Sequence, residues 1–139
     1  MAKFPRYRAA TEPPAPLAAA CRDVVAGRRA SDLLRRWAHP HGLSDLQLRL
    51  LHELALDAPR DQASLAATLL ASPARVSAVV LQLGTAGLIE STTDPSDRRR
   101  QLWRLTAAGN RCVAAVSAAA QAELATASAD EITPQEDAA

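Results

Sequence analysis

The chain has 139 residues, of which 48% are hydrophobic but only 3% are aromatic, and its formal net charge at pH 7 is +1. This length suits one domain with its own core, and the many alanines favour closely packed helices. A net charge so near zero excludes the strongly basic proteins that bind nucleic acids by charge alone. Two distant cysteines, Cys21 and Cys112, and the lack of a recognisable signal peptide predict a cytoplasmic protein with reduced thiols. Arginines interrupt the apolar stretches, so no membrane-spanning helix is expected.

The N-terminal part of the chain is predicted to contain a basic arm and one long helix. Residues 1–16 combine three basic side chains with four prolines, a composition that predicts a flexible arm. Such an arm either contacts a nucleic-acid backbone or remains a disordered tail. Apolar residues recur at three- and four-residue steps over residues 17–38 and predict a helix, which residues 39–42 end. Gly27 lies inside this helix and allows a bend there.

Two shorter helices follow, and each has a recognisable start. Ser44 and Gln47 form a capping-box pattern, which opens a helix that runs through about residue 55. Asp61 is predicted to cap the next helix, because a carboxylate at that position accepts hydrogen bonds from the first turn. The apolar residues of this second helix are Leu65, Ala66, Leu69 and Leu70.

The helix that begins at Ser72 and Pro73 is predicted to have two different faces. Serine is a preferred N-cap, and proline suits the first helical position. Apolar residues at a spacing typical of one buried face are Val76, Val79, Val80 and Leu83. The opposite face is short or polar and consists of Ala74, Arg75, Ser77, Ala78 and Gln82. A low-relief polar face suits insertion into a groove, and Gly84 and Gly87 are expected to end the helix.

Two strands joined by a basic loop are predicted after this helix. Residues 88–90 begin the first strand, and the alternating stretch 101–105 suits a half-buried second strand. Between them, residues 94–100 form a turn-prone loop with three consecutive arginines. Residues 44–105 carry seven basic and seven acidic side chains, so the positive charge of this otherwise neutral segment is concentrated in the loop. The two strands and the loop together predict a wing.

The last predicted element is a long alanine-rich helix. Thr106 caps it, and we expect it to run from Ala107 to about Ala129. Its larger apolar residues are Val113, Val116 and Leu124. Small residues let helices approach closely, so this helix suits either a two-fold interface or the first helix of the same chain. The predicted fold is mainly α with a small two-stranded β wing, which is a winged helix-turn-helix with long N- and C-terminal helices.

Four motifs in this order resemble the MarR family of bacterial transcriptional regulators: Ser72 to Ser77, Ala86 to Ile89, Asp94 to Arg99 and Leu105 to Gly109. The resemblance implies a homodimer in which residues 17–43 and 106–130 are dimerisation helices and residues 44–105 bind DNA. It also implies a sequence-specific regulator, a repressor, that binds a pseudo-palindromic operator and is released by a small-molecule ligand. The tail, residues 131–139, leaves no room for the further helix that family members often have, so the resemblance leaves the dimer geometry open.

The resemblance and the helix pattern together indicate which residues contact the major groove. Arg75 is the main candidate for base readout, because arginine can bond guanine O6 and N7 together. Ser77 and Gln82 are secondary candidates, and Ser72 is placed to contact a phosphate. Family members often carry a basic residue where this chain has Ala78. Arg75 and the wing are therefore expected to supply more of the affinity.

The wing is expected to contact the neighbouring minor groove. Arg98 and Arg99 would enter that groove, where negative potential attracts arginine. Arg100 would either contact the DNA backbone or stabilise the hairpin. As the resemblance implies, Asp97 orients an arginine through an ion pair, with Arg75 or Arg99 as its partner.

Two sensing functions are also considered for the long helices. Many family members bind small, often aromatic ligands between the dimer helices and the winged domain, which implies a crevice lined by residues 17–55 and 107–120. Trp37 is a candidate wall of that crevice, or else a core residue. Cys21 lies on the first helix and is a candidate oxidant sensor, although an inert buried cysteine is the commoner case.

Other chemistry has little support in the sequence. No nucleophile elbow, phosphate-binding glycine loop or paired carboxylates are recognisable, so an enzyme is not expected. His39, His41 and His52 could in principle meet Cys21 around a metal ion, but no metal or cofactor is predicted. A winged helix that binds proteins and not DNA is the alternative from a different functional class.

Overall fold

A computed structural model of the chain describes residues 15–132, and describes the side chains of residues 15–129. Within this part, five α-helices, one 3-10 turn and one two-stranded sheet follow each other along the chain. Their bounds are α1 Ala15–Ala38, the 3-10 turn His39–His41, α2 Asp45–Leu56, α3 Gln62–Leu69, α4 Pro73–Thr85, β1 Ile89–Asp94, β2 Asp97–Leu105 and α5 Ala107–Ile132. The predicted fold class, mainly α with a two-stranded wing, is confirmed.

The described chain falls into two compact units that divide inside α1, between Leu33 and Leu34. In the first unit, α1 begins at Ala15, two residues before the predicted start, so the last two residues assigned to the arm are helical. Proline is tolerated in a first helical turn because the amide hydrogen it lacks would have no partner there. The helix continues through Gly27. The rest of the predicted arm, residues 1–14, lies outside the described residues.

The second unit contains an apolar core made by α2, α3, α4 and the start of β1. The buried members are Leu46, Leu50, Leu51, Leu54, Leu65, Ala66, Leu69, Val76, Val79, Val80, Leu83 and Ile89. Each fully buried leucine or valine contributes roughly 1.5–3 kcal/mol relative to an exposed one. The predicted apolar stripes of these three helices are therefore the faces that pack against each other.

The predicted caps of α2 and α3 are formed. The amide N–H of Gln47 donates to Ser44 Oγ at 3.1 Å, and the N–H of Ser44 donates to Gln47 Oε1 at 2.9 Å, which completes the capping box. Asp61 Oδ1 accepts from the N–H of Ser64 at 2.7 Å. These bonds satisfy amide groups that have no partner within the helix.

The prediction that Leu70 belongs to the apolar face of α3 is wrong. The helix ends at Leu69, and Leu70 is its C-cap in the left-handed conformation, with φ of 51° and 92% of its surface exposed. The turn between α3 and α4 needs this conformation, which costs an L-residue roughly 1–2 kcal/mol. The carbonyl oxygen of Leu69, the last residue of α3, accepts a hydrogen bond from Arg49 Nη2 of α2 at 2.9 Å.

The wing is an antiparallel pair that runs from Ile89 opposite Leu105 outward to its tip. At its base, Thr106 and Gly109 fix the start of α5. Thr106 Oγ1 donates to the carbonyl oxygen of Gly87 at 2.6 Å and accepts from the N–H of Gly109 at 3.1 Å. A Cβ at Gly109 would overlap the carbonyl oxygen of Leu88, so this position accommodates no side chain.

The α5 helix contradicts one expectation about membranes. By length and composition, Ala107–Ala129 could cross a membrane, and α3 with α4 passes the same test as a pair bent by 114°. The expectation that arginines interrupt every apolar stretch is therefore wrong for α5. A single such helix is weak evidence for a span, because most of its apolar residues are alanines. Its Val113 and Val116 also pack against buried residues of the second unit. The helix extends to Ile132, three residues beyond its predicted end, and residues 133–139 of the predicted tail lie outside the described residues.

Candidate nucleic-acid interface

Helix α4 is fixed to the second unit by its apolar stripe and by its N-cap. Val76 and Val80 are 0% and 2% exposed, and Leu83 is 1% exposed. The N–H of Arg75 donates to Ser72 Oγ at 3.2 Å, so the predicted cap is formed. The Ser72 hydroxyl is engaged as this cap, and the residue itself is exposed. The helix is thus held from behind, and its other face is open.

The centre of that open face differs from the predicted one. At 100° per residue, the line opposite the buried stripe passes through Ala74, Ala78 and Leu81. Leu81 is 72% exposed and is missing from the short or polar set predicted for this face. Arg75 lies on one flank of the line and Ser77 on the other, and both are exposed. The Arg75 side chain makes no hydrogen bond or ion pair to other described residues, so its guanidinium is available to a partner.

Gln82 is less free than predicted. It shares a flank of α4 with Arg75, but its Oε1 accepts from Gln47 Nε2 of α2 at 2.8 Å. The side-chain amide oxygen of Gln82 is therefore used to join α4 to α2, and its NH₂ group remains available as a donor.

The tip of the wing is a tight turn followed by a bulge of arginines. Pairing passes from Thr93 opposite Gln101 directly to Asp94 opposite Asp97. Residues 98–100 consequently have no partner on β1 and bulge out of the sheet. The turn predicted within residues 94–100 is present but shorter than that range, because only the two residues between Asp94 and Asp97 lie outside the strands.

The turn is stabilised by Asp94. Its Oδ1 accepts from both the N–H and the hydroxyl of Ser96, at 2.9 and 2.7 Å. Both bonds lower the pKa of the Asp94 carboxyl below its ordinary value, and the bond from the hydroxyl contributes more than the bond from the N–H. The carboxylate therefore remains charged and holds the turn closed.

The expected ion pair of Asp97 is not formed among the described residues. Asp97 Oδ1 accepts from the backbone N–H of Arg99 at 3.0 Å, which fixes the start of the bulge. Neither Arg75 nor the guanidinium of Arg99 pairs with this carboxylate. The short carboxylate side chain bonds to the backbone two residues ahead, a local pattern common for aspartate in turns.

Of the wing arginines, two are paired within the chain and two are not. Arg100 Nε donates to Asp61 Oδ2 at 2.6 Å, and the two side chains form an ion pair. Arg104 Nε donates to Glu90 Oε1 across the sheet at 2.9 Å. Within residues 15–129, the guanidinium groups of Arg98 and Arg99 make no ion pair, and both residues are exposed. Of the two roles predicted for Arg100, the one that stabilises the wing is the one formed in the structure.

Asp61 therefore has two functions. It caps α3 by accepting from the N–H of Ser64, and it pairs with Arg100. Both interactions lower the pKa of its carboxyl, and the bond from Ser64 contributes most. The cap joins it to the helix-turn-helix, and the ion pair joins it to the wing.

Arg60, which the sequence pattern did not single out, connects the wing to α2 and α3. Its N–H donates to the carbonyl oxygen of Trp103 at 3.0 Å and its own carbonyl accepts from the N–H of Trp103 at 2.8 Å, as in a third strand. The guanidinium pairs with Glu53 at 3.1 Å and donates to Ser64 and Thr68. Only 11% of this side chain is exposed. Its single signal in the sequence is an arginine directly before a helix N-cap, which is too common to be informative.

A cavity of about 440 Å³ lies in the second unit between the end of α1 and helices α2, α3 and α5. Its lining includes Trp37, Arg49, His52, Glu53, Thr68 and Val116. The crevice predicted from the sequence is lined by residues 17–55 and 107–120, and residues of both segments line this cavity. Residues of α3 line it as well. Trp37 is half-buried, and its indole N–H donates to Glu123 of α5. Trp37 thus contacts both the core and the cavity.

The described cysteines and histidines do not come together in the way that a metal site requires. Cys21 is exposed on α1, whereas Cys112 is half-buried, and burial raises the pKa of the Cys112 thiol. Among the described residues, no three histidine, cysteine or acidic side chains come close enough to hold a metal ion, and His39, His41 and His52 form no such cluster.

Comparisons with known proteins agree with this geometry. The model of the MarR family matches residues 41–100, which contain α2, α3, α4 and the tip of the wing. A sequence comparison with curated proteins gives no match.

Solved structures also match over most of the chain. A probable transcriptional regulator from Pseudomonas aeruginosa is 31% identical, over 80% of this chain and 82% of that one, with a TM-score of 0.63. The MarR family transcription regulator SP03579 is 26% identical, over 83% and 75%, with a TM-score of 0.69. CouR from Rhodococcus jostii, bound to p-coumaroyl-CoA, is 28% identical, over 71% and 70%, with a TM-score of 0.64. Residues 41–100 therefore belong to the MarR family of transcription regulators, and the described chain has the fold of its winged helix-turn-helix members.

Proposed function

We propose that the protein is a repressor that binds a pseudo-palindromic operator as a homodimer and is released from it by a small-molecule effector. One observation carries the DNA-binding part of this proposal. Arg98 and Arg99 are exposed on the wing and form no ion pair with another described side chain, while Arg100 and Arg104 are paired. Two exposed, uncompensated guanidinium groups at a wing tip suit a polyanion.

Helix α4 and the wing would occupy adjacent grooves of B-DNA. The major groove is about 12 Å wide and accepts one helix, which would be α4 with Arg75 toward guanine. The wing tip would then place Arg98 and Arg99 in the neighbouring minor groove. Between α4 and the base of the wing lies a cleft lined in part by the polar residues Gln62, Ser77 and Gln101. The side of this cleft formed by Gln62 of α3 and Gln101 of β2 suits the sugar-phosphate strand that separates the two grooves.

Homodimerisation is supported by exposed apolar residues on the two long helices. In the first unit, Leu17, Val24 and Val25 of α1 are 56%, 60% and 51% exposed. In the second unit, Leu124 of α5 is 58% exposed among alanines. Such residues would be buried against a second copy. Two copies of α4 about 34–36 Å apart then require a pseudo-palindromic site.

The cavity beside Trp37 is the proposed effector site. Its volume lies within the range typical of small-molecule sites, roughly 300–1,000 Å³. CouR, a protein of the same fold, holds p-coumaroyl-CoA. Glu53 and Thr68 line this cavity and also bond Arg60, whose backbone pairs with the base of β2. An occupant that contacts either residue would change the bonds of Arg60 and so displace the wing.

Selection of bound duplexes from a random DNA pool tests the central part of the proposal. Wild-type protein should enrich one sequence with two-fold symmetry, because a dimer reads two half-sites. Arg75→Ala should enrich a less defined sequence, because the guanine contact is lost. If the wild type bound DNA without enriching any sequence, or bound no DNA at all, sequence-specific binding would be rejected.

The effector site has its own test. Small aromatic carboxylates would be screened for a rise in the melting temperature and for release of the selected operator. Ala120→Phe, at the wall of the cavity, should abolish both effects while leaving operator binding intact. Arg60→Lys should keep the rise in melting temperature but lose the release, because lysine cannot reproduce the forked contacts of arginine. A ligand that acts equally on all three proteins would place the effector site elsewhere.

Oxidant sensing is the second candidate: Cys21 is exposed in the single chain, four residues from Leu17 and Val25 of the proposed dimer face, so its oxidation would place a polar group in that interface. Peroxide should then release the operator from the wild type but not from Cys21→Ser. Release from both proteins would reject it.

A further inference from the structure

The outward face of α4 has an apolar centre. Ala74 and Ala78 are separated by one helical turn, and Leu81 follows them on the same line, opposite the buried stripe. None of the three side chains can donate or accept a hydrogen bond. Thr85 ends this line, and its hydroxyl donates to the carbonyl oxygen of Leu81 at 2.8 Å. Leu81 is 72% exposed, whereas Leu83, two residues later on the same helix, is 1% exposed. The exposed leucine is therefore not part of the core.

Leu81 also projects farther than its neighbours on this line. The alanines end at Cβ, so the helix can approach a partner closely until the leucine side chain meets it. Leu81 lines the cleft between α4 and the base of the wing, together with Ala74, Ala78 and Ser77. On the proposed function, this is the face that enters the major groove.

The largest apolar group that the major groove offers to such a side chain is the C5-methyl group of thymine. Most of the other groups on its edges are hydrogen-bond donors and acceptors. A leucine pressed against a donor or acceptor would remove that group from water and give it no partner. We infer that Leu81 is a specificity-determining residue that packs against a thymine methyl in each half-site. This inference rests on the proposed DNA binding by α4 and adds the base that the centre of the helix selects.

Deoxyuridine, which is thymine without the methyl group, gives an atomic test. Each thymine of the selected operator would be replaced in turn by deoxyuridine, and the dissociation constants of wild type and Leu81→Ala would be measured. At one thymine position per half-site, the wild type should lose about fourfold in affinity, the effect of one buried methyl group. Leu81→Ala should bind the thymine and deoxyuridine duplexes equally. Leu81→Met, which keeps an apolar side chain of similar size, should retain most of the wild-type sensitivity.

Leu56→Ala is the matched control, because Leu56 is a similarly exposed leucine, 68%, at the end of α2. It should respond to deoxyuridine as the wild type does. Equal sensitivity of wild type and Leu81→Ala at every position, or no sensitivity of the wild type at any position, would overturn the inference while leaving DNA binding intact. A wild type that binds no duplex would instead reject the proposed function. If Leu81→Ala loses a protein partner and keeps its response to deoxyuridine, the residue belongs to a protein interface and the inference fails.

Discussion

The recognition helix and the wing are held in place by different forces. Helix α4 is fixed by burial of Val76, Val79, Val80 and Leu83, and none of the described charged side chains forms an ion pair with it. The wing has little apolar contact beyond its base and is held by polar bonds, the Asp61–Arg100 ion pair and the backbone bonds of Arg60 to Trp103. Apolar packing fixes a helix rigidly, whereas exposed ion pairs are weak and sensitive to salt.

This difference matches what each region would do on DNA. Base readout needs a helix that is held in one fixed position, because a small displacement breaks a bidentate hydrogen bond to a base. Backbone and minor-groove contacts depend on charge and tolerate adjustment. The rigid, nearly uncharged helix is therefore suited to selecting a sequence, and the charged wing to supplying affinity. The two regions meet at Leu88, which lies between the end of α4 and the start of β1.

The junction at Leu88 should be the most sensitive point of this arrangement. Gly109→Ala would force a Cβ into the carbonyl oxygen of Leu88 and to 3.0 Å from its carbonyl carbon, so we expect a loss of about 3 kcal/mol or more in the free energy of unfolding. Gly84→Ala is the control, because its Cβ would meet only Trp103 at 3.9 Å. It should gain less than about 1 kcal/mol, because Gly84 lies in the last turn of α4. Chemical denaturation of both variants measures this, and equal stabilities would contradict the close approach.

Two leucines on α4 sharpen the contrast between its faces. Leu83→Ala should cost about 3 kcal/mol in the free energy of unfolding, because it leaves a cavity in the core. Leu81→Ala should change that free energy by less than about 0.5 kcal/mol, because the side chain is already in solvent. Urea denaturation distinguishes the two. A large loss for Leu81→Ala would mean that the open face of α4 is packed.

The ion pair of the wing should have the smallest effect and should depend on pH. The pKa of Asp61 is lowered in the folded state, so its contribution to stability is present above the pKa of unfolded aspartate and is lost as the pH falls through the lower folded value. Arg100→Ala should raise the pKa of Asp61 and cost under about 1 kcal/mol at neutral pH. Carboxyl carbon shifts in NMR spectra follow this titration. Arg104→Ala, which breaks the other ion pair of the wing, should leave the pKa of Asp61 unchanged.

The parts that follow periodicity and capping rules were predictable from the sequence. The stripe of α4, the capping box at Ser44 and the cap at Asp61 depend on residues within a few positions of each other. The family motif from residue 105 to residue 109 was also recognisable. Its physical reason, the contact between Gly109 and Leu88, appears only in three dimensions.

Two features that the sequence did not reveal share one cause, which is pairing between residues far apart in the chain. For Arg100 the sequence left contact with the DNA backbone and stabilisation of the hairpin open, because its partner Asp61 lies 39 residues away. The bonds of Arg60 to Trp103 likewise join distant segments. Leu81 was overlooked for a different reason: an apolar residue was not expected on a face described as polar. No local pattern could have revealed the two pairings, whereas a strict helical projection would have placed Leu81 on this face.

The division of labour between helix and wing can be measured directly by titrating variants on the selected operator and on a shuffled duplex at two salt concentrations. Arg75→Ala should lose roughly 5- to 100-fold on the operator and little on the shuffled duplex. The double variant Arg98→Ala with Arg99→Ala should weaken binding to both duplexes and reduce the salt dependence by about two charges per subunit. Arg104→Ala should have a smaller effect on both, because the native Arg104 is already paired with Glu90. If the helix and wing variants lost affinity for both duplexes alike, with the same salt dependence, the account would be contradicted.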